Sequence, residues 1–395
     1  MYRLFRAREG RVAVDELRPA PNHIPDDLAA LSAIIRLKGG LCPLERLEDI
    51  TLDLQSHSNY VQKLLDIGGS VGERFGVILG PYGSGKTHIL QVTKHLALSK
   101  GFAVAHLSQD TGLNSLGHPE RHVFNLVRSL RFPNPYGTML EWLGTLLDHP
   151  KERSSFEAAL RGLRSECRSL VDSALWILQQ GPRSLQTGLL LEYLSGALLI
   201  GKTATTSSRL QAYELVRFWV TFSTRILGCK GLVLVFDELE NLFSNAVCWN
   251  ILSRRLAYRT LSYYTEAIPQ TRTICALTPG GWNLLHSEVR HASSGVLLEV
   301  ETTAGEKVEA LFRRILRTQP HELTPFTGRD YHAFLDRLAT LHSEARAYPR
   351  SSIDSSSFLP RISPGMTPRI FAKSVVSALD HKWFERAVRP ASGAE

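Results

Sequence analysis

"FGVILGPYGSGKTHILQVTKHLALSKG", residues 75–101, decides the fold. A short β-rich run leads into a glycine-crowded turn, and Gly80 to Thr87 fits the pattern G-x-x-x-x-G-K-[ST]. Beyond Thr87 the apolar residues fall near helical spacing until Gly101. Strand, glycine turn and helix in that order form a phosphate-binding loop. Gly80, Gly83 and Gly85 let backbone amides converge without side-chain obstruction. The helix that follows aims its positive end at the same point. Lys86 is placed to reach the β- and γ-phosphates of a nucleoside triphosphate, and the Thr87 hydroxyl to ligate Mg²⁺. The nucleotide is therefore expected against Gly80, Pro81, Tyr82, Gly83, Ser84, Gly85, Lys86, Thr87 and His88.

A second element is expected to be a buried strand ending in acids. "KGLVLVFDELENLF" (230–243) supplies five apolar residues and then Asp237-Glu238. An unbroken apolar run suits a central strand covered on both faces, and its carboxyl end is where an open α/β sheet places ligand groups. Asp237 is assigned to Mg²⁺ and Glu238 to the base that polarises an attacking water. The competing assignment is a plain acidic turn. Glu240 is given a structural or relay role. "TRTICALTP" (271–279) predicts a further strand after a helical segment from about Ala246 to Ala267. Thr278 at its end either senses the γ-phosphate or merely starts the turn before Pro279-Gly280-Gly281.

"FAVAHLS" (102–108) follows the loop in the chain, and a strand between phosphate loop and acidic strand points to the additional-strand branch of P-loop NTPases. "SGVLLEVE" (294–301) offers a fifth strand. The fold expected is a three-layer α/β P-loop NTPase, AAA+-like, with a parallel sheet, a helical insertion and a C-terminal helical lid. Its divisions are a lead-in over 1–70, core segments over 71–112 and 229–303, a mostly helical insertion over 113–228, and a lid over 304–395. A Pro/Ser-rich connector (348–365) precedes a last helix that begins Thr367-Pro368-Arg369, proline taking the first turn. Arg369 is thereby fixed at a helix start, where it can contact the γ-phosphate and report nucleotide state; the alternative is a solvated arginine.

The 395 residues are 43% hydrophobic and 21% charged, an ordinary globular composition. No run of about 18 uncharged apolar residues predicts a membrane span, and the basic amino terminus lacks the apolar segment of a secretory signal. Cys42, Cys167, Cys229, Cys248 and Cys275 form no CxxC pair, which fits small core residues in a reducing cytoplasm. The net charge of +8 admits DNA as a partner, bound without sequence readout since no helix-turn-helix or zinc finger is evident.

The loop "GPYGSGKT", the acidic "VLVFDELENL", the upstream "LKGGLCP" and the late "GMTPRIF" together resemble the ATP-binding proteins of BREX-type bacterial phage-defence systems. These are AAA+-like ATPases distantly similar to origin-binding and DNA-loading initiators. The resemblance implies a role in defence beside other proteins of such a system. It also implies an arginine finger from a neighbouring subunit of a homo-oligomer, for which Arg290, Arg313 and Arg314 are candidates and Arg254 and Arg255 weaker ones.

The leading expectation is an Mg-ATP-dependent ATPase that drives or gates a DNA-associated complex. Glu238, Lys86, Thr278 and Arg369 are its catalytic and sensing groups. The alternatives are a slow NTPase switch that uses ATP as a latch to recognise a protein, and a small-molecule kinase. The acidic pair and the late arginine argue against the kinase.

Overall fold

The computed structural model describes residues 26–66, 74–109, 116–180, 183–199, 206–243, 250–291, 308–348 and 365–388. The expected strand at 294–301, Cys248 and all but the ends of the 348–365 connector lie outside them. In chain order the elements are α1 (Asp26–Lys38), α2 (Leu47–Ile50), α3 (Leu54–Leu65), β1 (Phe75–Leu79), α4 (Lys86–Ser99) and β2 (Ala103–Ser108). Then come α5 (Pro119–Ser129), the short strands β3 (Arg131–Phe132) and β4 (Gly137–Thr138), α6 (Met139–Asp148), α7 (Pro150–Gly162), α8 (Arg168–Gln179), α9 (Arg183–Ser195) and α10 (Thr206–Arg225). The rest are β5 (Leu232–Asp237), α11 (Ile251–Ser262), β6 (Thr271–Leu277), α12 (Pro279–Arg290), α13 (Val308–Arg317), β7 (His321–Glu322), α14 (Gly328–Ala345) and α15 (Pro368–Val388).

The sheet order is β4-β3-β2-β5-β6-β1-β7. Strands β2, β5 and β6 run parallel, with Leu107 beside Phe236 and Phe236 beside Cys275. Every residue of β5 and β6 is buried; the apolar run Leu232–Phe236 accounts for β5, while β6 also buries Thr271, Arg272 and Thr273. Two details differ from expectation. The strand between β1 and β5 is β6, whereas β2 lies on the far side of β5; order along the chain does not set order across a sheet. The sheet is also mixed, because β3 and β4 add an antiparallel hairpin at one edge. The fold is otherwise the α/β P-loop NTPase architecture, its sheet largely parallel.

Two compact units divide the chain. The first contains the described residues of Val61–Val77 and Lys94–Pro320. Its helical part packs around an aromatic cluster in which Trp142, Phe156, Phe218, Trp219 and Phe222 are all buried. Residues 263–267 form a π-helical turn after α11. The second unit contains the described residues of Asn22–Tyr60, Ile78–Thr93 and His321–Glu395. Here β7 pairs in parallel with the end of β1, Ile78 facing His321. Helices α1, α14 and α15 share a core that includes Ile34, Leu338, Phe371 and Val376. Beside it Asp380 accepts from Lys38 Nζ at 2.7 Å, from Arg346 at 2.9 Å and from His342 Nε2 at 3.1 Å. Those three partners outweigh the desolvation of the carboxylate and hold its pKa below the usual range.

Candidate functional site

The residues singled out from sequence fall in both units, and each group is built locally. In the second unit the phosphate loop joins β1 to α4. Gly83 (φ +79°) and Gly85 (φ +100°) are left-handed, a conformation that side chains resist. Gly80 is tight for space instead, since a β-carbon there would stand 2.5 Å from Ser84 Oγ and 3.1 Å from Leu323 Cβ. Lys86 is buried, and its ammonium donates to the carbonyls of Gly80 and Pro81, both at 3.0 Å. Thr87 is exposed at the helix start, and α4 has no acidic residue in its first turn. The Ser84 hydroxyl is buried without a protein hydrogen-bond partner. A cation, an uncompensated helix start, an orphaned hydroxyl and two left-handed glycines form a donor set that fits phosphate oxygens.

The last helix starts against this loop. Thr367 Oγ1 accepts from the backbone of Ile370 at 3.4 Å, and Tyr331 donates to the Met366 carbonyl at 2.6 Å. Arg369 donates Nε–H to the Gly40 carbonyl at 2.6 Å, and its Nη1 lies 3.4 Å from the Tyr82 hydroxyl. Gly40 (φ +70°) ends α1 in a Schellman turn, with Leu41 N–H on Arg36 O and Gly40 N–H on Leu37 O. The segments "LKGGLCP" and "GMTPRIF" thus meet at one hydrogen bond. Sequence offers no signal for this contact beyond the paired glycines, because 329 residues separate the partners.

Behind the loop, His88 Nε2 is 2.7 Å from Thr51 Oγ1, whose own proton goes to Leu47 O at 2.6 Å. The hydroxyl can therefore only accept from the ring, which puts the imidazole proton on Nε2 and leaves Nδ1 toward Cys42 Sγ, 3.6 Å away. Burial lowers the His88 pKa to about 4, with the charge of His57 adding to it. His57 falls to about 4 as well, mainly by burial and then by His321, whose ring nitrogen is 2.6 Å from its own.

The acidic residues lie in the first unit. Asp237 ends β5 and is buried; its Oδ1 accepts from the Glu238 N–H at 3.0 Å. Glu238 is exposed and left-handed (φ 55°, ψ 38°), which costs about 1–2 kcal/mol for a residue with a β-carbon. Glu240 packs against the first turn of α12, where a methyl group added at Gly281 would overlap its Cβ. Thr278 is the N-cap of α12 and accepts from Gly281 N–H at 3.1 Å. It follows the last residue of β6 and caps the helix, an acceptor role that leaves its O–H as a donor. On β2, burial pushes His106 down to about 4, followed by the charge of Lys94; burial and Arg131 bring Lys94 to about 8. Of the candidate fingers, Arg254 is buried in an ion pair with Glu288 at 3.2 Å, Arg313 is bound by Glu309 on its own helix, and Arg290 is exposed.

Residues 29–183 match the BREX system ATP-binding protein BrxC/D family. The match covers α1 from Ala29 onward, the Gly40 turn and the phosphate loop, all within the stretch where the resemblance was expected. It ends before the acidic strand and before Arg369. Among solved structures, the Walker-type ATPase PABY2304 of Pyrococcus abyssi is similar at 12% identity and a TM-score of 0.34, over 85% of this chain and 72% of that one. No curated protein matches. No described helix is long and apolar enough to cross a membrane.

Proposed function

We propose that the chain is an Mg-ATP-dependent ATPase that drives or gates a DNA-associated complex in BREX-type phage defence. The observation that carries this reading is the loop from Gly80 to Thr87, with its left-handed Gly83 and Gly85 and the Lys86 ammonium held over it. The match to a family of BREX ATP-binding proteins supports the choice of ATP and of the defence setting. Lys86 and the loop amides bind the phosphates. Thr87 and Asp237 are the side chains assigned to a divalent ion, which when bound neutralises phosphate oxygens. Glu238 accepts the proton of the attacking water, Thr278 donates its hydroxyl toward the transferred group, and Arg369 reports the γ-phosphate to the last helix. The surplus of basic residues favours DNA phosphates as a non-sequence-specific partner.

The test is ATP turnover by the sizing-purified chain with and without duplex or single-stranded DNA, beside Lys86→Ala. Turnover stimulated by DNA and lost with Lys86 is expected. Tight nucleotide retention indifferent to DNA favours the protein-directed latch. Unchanged nucleotide affinity in Lys86→Ala removes the phosphate-loop assignment.

A further inference from the structure

Asp237 and Glu238 sit inside a closed ring of hydrogen bonds that the ATPase reading does not use. The Glu238 N–H is held by Asp237 Oδ1 at 3.0 Å, and the Glu238 carbonyl accepts from Asn241 N–H at 3.1 Å. Asn241 then reaches outward, its Nδ2 donating to the Gln109 carbonyl at 2.9 Å. Gln109 closes the circle from the end of β2, its N–H on the Asp237 carbonyl at 2.9 Å. One residue in this ring is strained, the left-handed Glu238. Strain of that kind persists only where the surroundings over-determine it. Both backbone polar groups of Glu238 are fixed within the turn, and Asn241 is the residue that ties the turn to the neighbouring strand. From the opposite side the turn is held by Glu240, packed against Gly281 so closely that no β-carbon fits there.

We infer that Asn241 is a positioning residue for Glu238. Its side-chain amide keeps the left-handed turn docked on β2, which presents the exposed Glu238 carboxylate in one orientation. The inference rests on the assignment of Glu238 as the base. Without the amide the turn relaxes toward an ordinary backbone conformation and the carboxylate swings away, while Lys86 and the loop amides are untouched. The effect therefore belongs to turnover and not to nucleotide affinity.

Asn241→Asp is the sharp variant, because it keeps the shape and sets an acceptor against the Gln109 carbonyl. Turnover should fall by about 10–100-fold, as for a misplaced catalytic group, while affinity for a non-hydrolysable ATP analogue stays within about twofold of the parent. The decisive measurement is a cycle with Glu238→Gln, read by single-turnover hydrolysis. If Asn241 acts through Glu238, the double variant hydrolyses ATP no more slowly than Glu238→Gln alone. A double variant slower by the full Asn241→Asp factor overturns the inference, as does an Asn241→Asp enzyme at the parent rate. Glu238→Gln at the parent rate is a separate result: it removes the base assignment and the inference with it. Should Asn241→Asp melt below the assay temperature, Asn241→Ser, which removes the amide without setting a carboxylate against the Gln109 carbonyl, enters the cycle with the same two outcomes.

Discussion

Arg369 Nη1 lies 3.4 Å from the Tyr82 hydroxyl, so the start of the last helix touches the exposed tip of the phosphate loop. The stronger bond, from Nε to Gly40 O at 2.6 Å, fixes the guanidinium while leaving Nη1 beside the loop. A γ-phosphate sensor needs that geometry: an anchored cation with donors to spare.

Arg369→Ala should therefore weaken ATP more than ADP. Loss of one charge-assisted contact corresponds to about 1.5–3 kcal/mol, roughly tenfold or more in affinity for ATP. Tyr82→Phe should produce the same selectivity in weaker form. Equilibrium titration with both nucleotides decides it, and equal losses for ATP and ADP would show that the arginine ignores the γ-phosphate.

Gly83→Ala should damage the loop twice over. The left-handed backbone strains any residue with a β-carbon, and that carbon would stand 2.9 Å from Thr367 Cβ and Cγ2. Chemical denaturation should register a loss of at least about 1–2 kcal/mol, with ATP binding lost as well. A variant as stable as the parent contradicts the backbone assignment.

At the acidic strand, binding and chemistry should separate. Glu238→Gln keeps shape and polarity but accepts no proton, so ATP affinity holds while turnover falls about 10²–10⁴-fold. Asp237→Asn should weaken the Mg²⁺ dependence together with the rate. Magnesium titrations of the two variants distinguish the roles.

Stability should fall as the pH is lowered from neutral. His57, His88 and His106 are held neutral, their pKa values lowered from 6.5 to about 4 chiefly by burial. The unfolded chain therefore binds more protons than the folded one between those values. The stabilisation is complete above about pH 6.5, declines through that window, and levels off below about pH 4. Each histidine contributes at most about 1.4 kcal/mol per pH unit there. Urea midpoints at pH 7, 6 and 5 measure the slope, and His106→Gln should flatten it.

Local chemistry was legible in the sequence and distance was not. The phosphate loop, β5 and the proline-led start of α15 are written in adjacent residues, whose spacing and apolar runs carry the whole signal. Thr278 was ambiguous because a helix cap and a polar sensor use the same hydroxyl. The place of β6 between β1 and β5 depends on a crossover that no strand's own residues encode. The contact of Gly40 with Arg369, the docking of Thr367 on Gly83 and the left-handed backbone of Glu238 arise from packing between distant segments, so spacing could not reveal them.

The phosphate loop gathers its neighbours from the far end of the chain. Leu323 beside Gly80, Thr367 on Gly83, Arg369 at Tyr82 and the strand partner of Ile78 all follow residue 320. During synthesis the loop therefore emerges more than two hundred residues ahead of these four partners, a wait of roughly 10–50 s at about 5–20 residues per second. Over that interval the nascent loop lacks the contacts made by residues beyond 320. A chain cut before residue 321 would carry the motif without the neighbours that pack on Gly80, Gly83 and Tyr82.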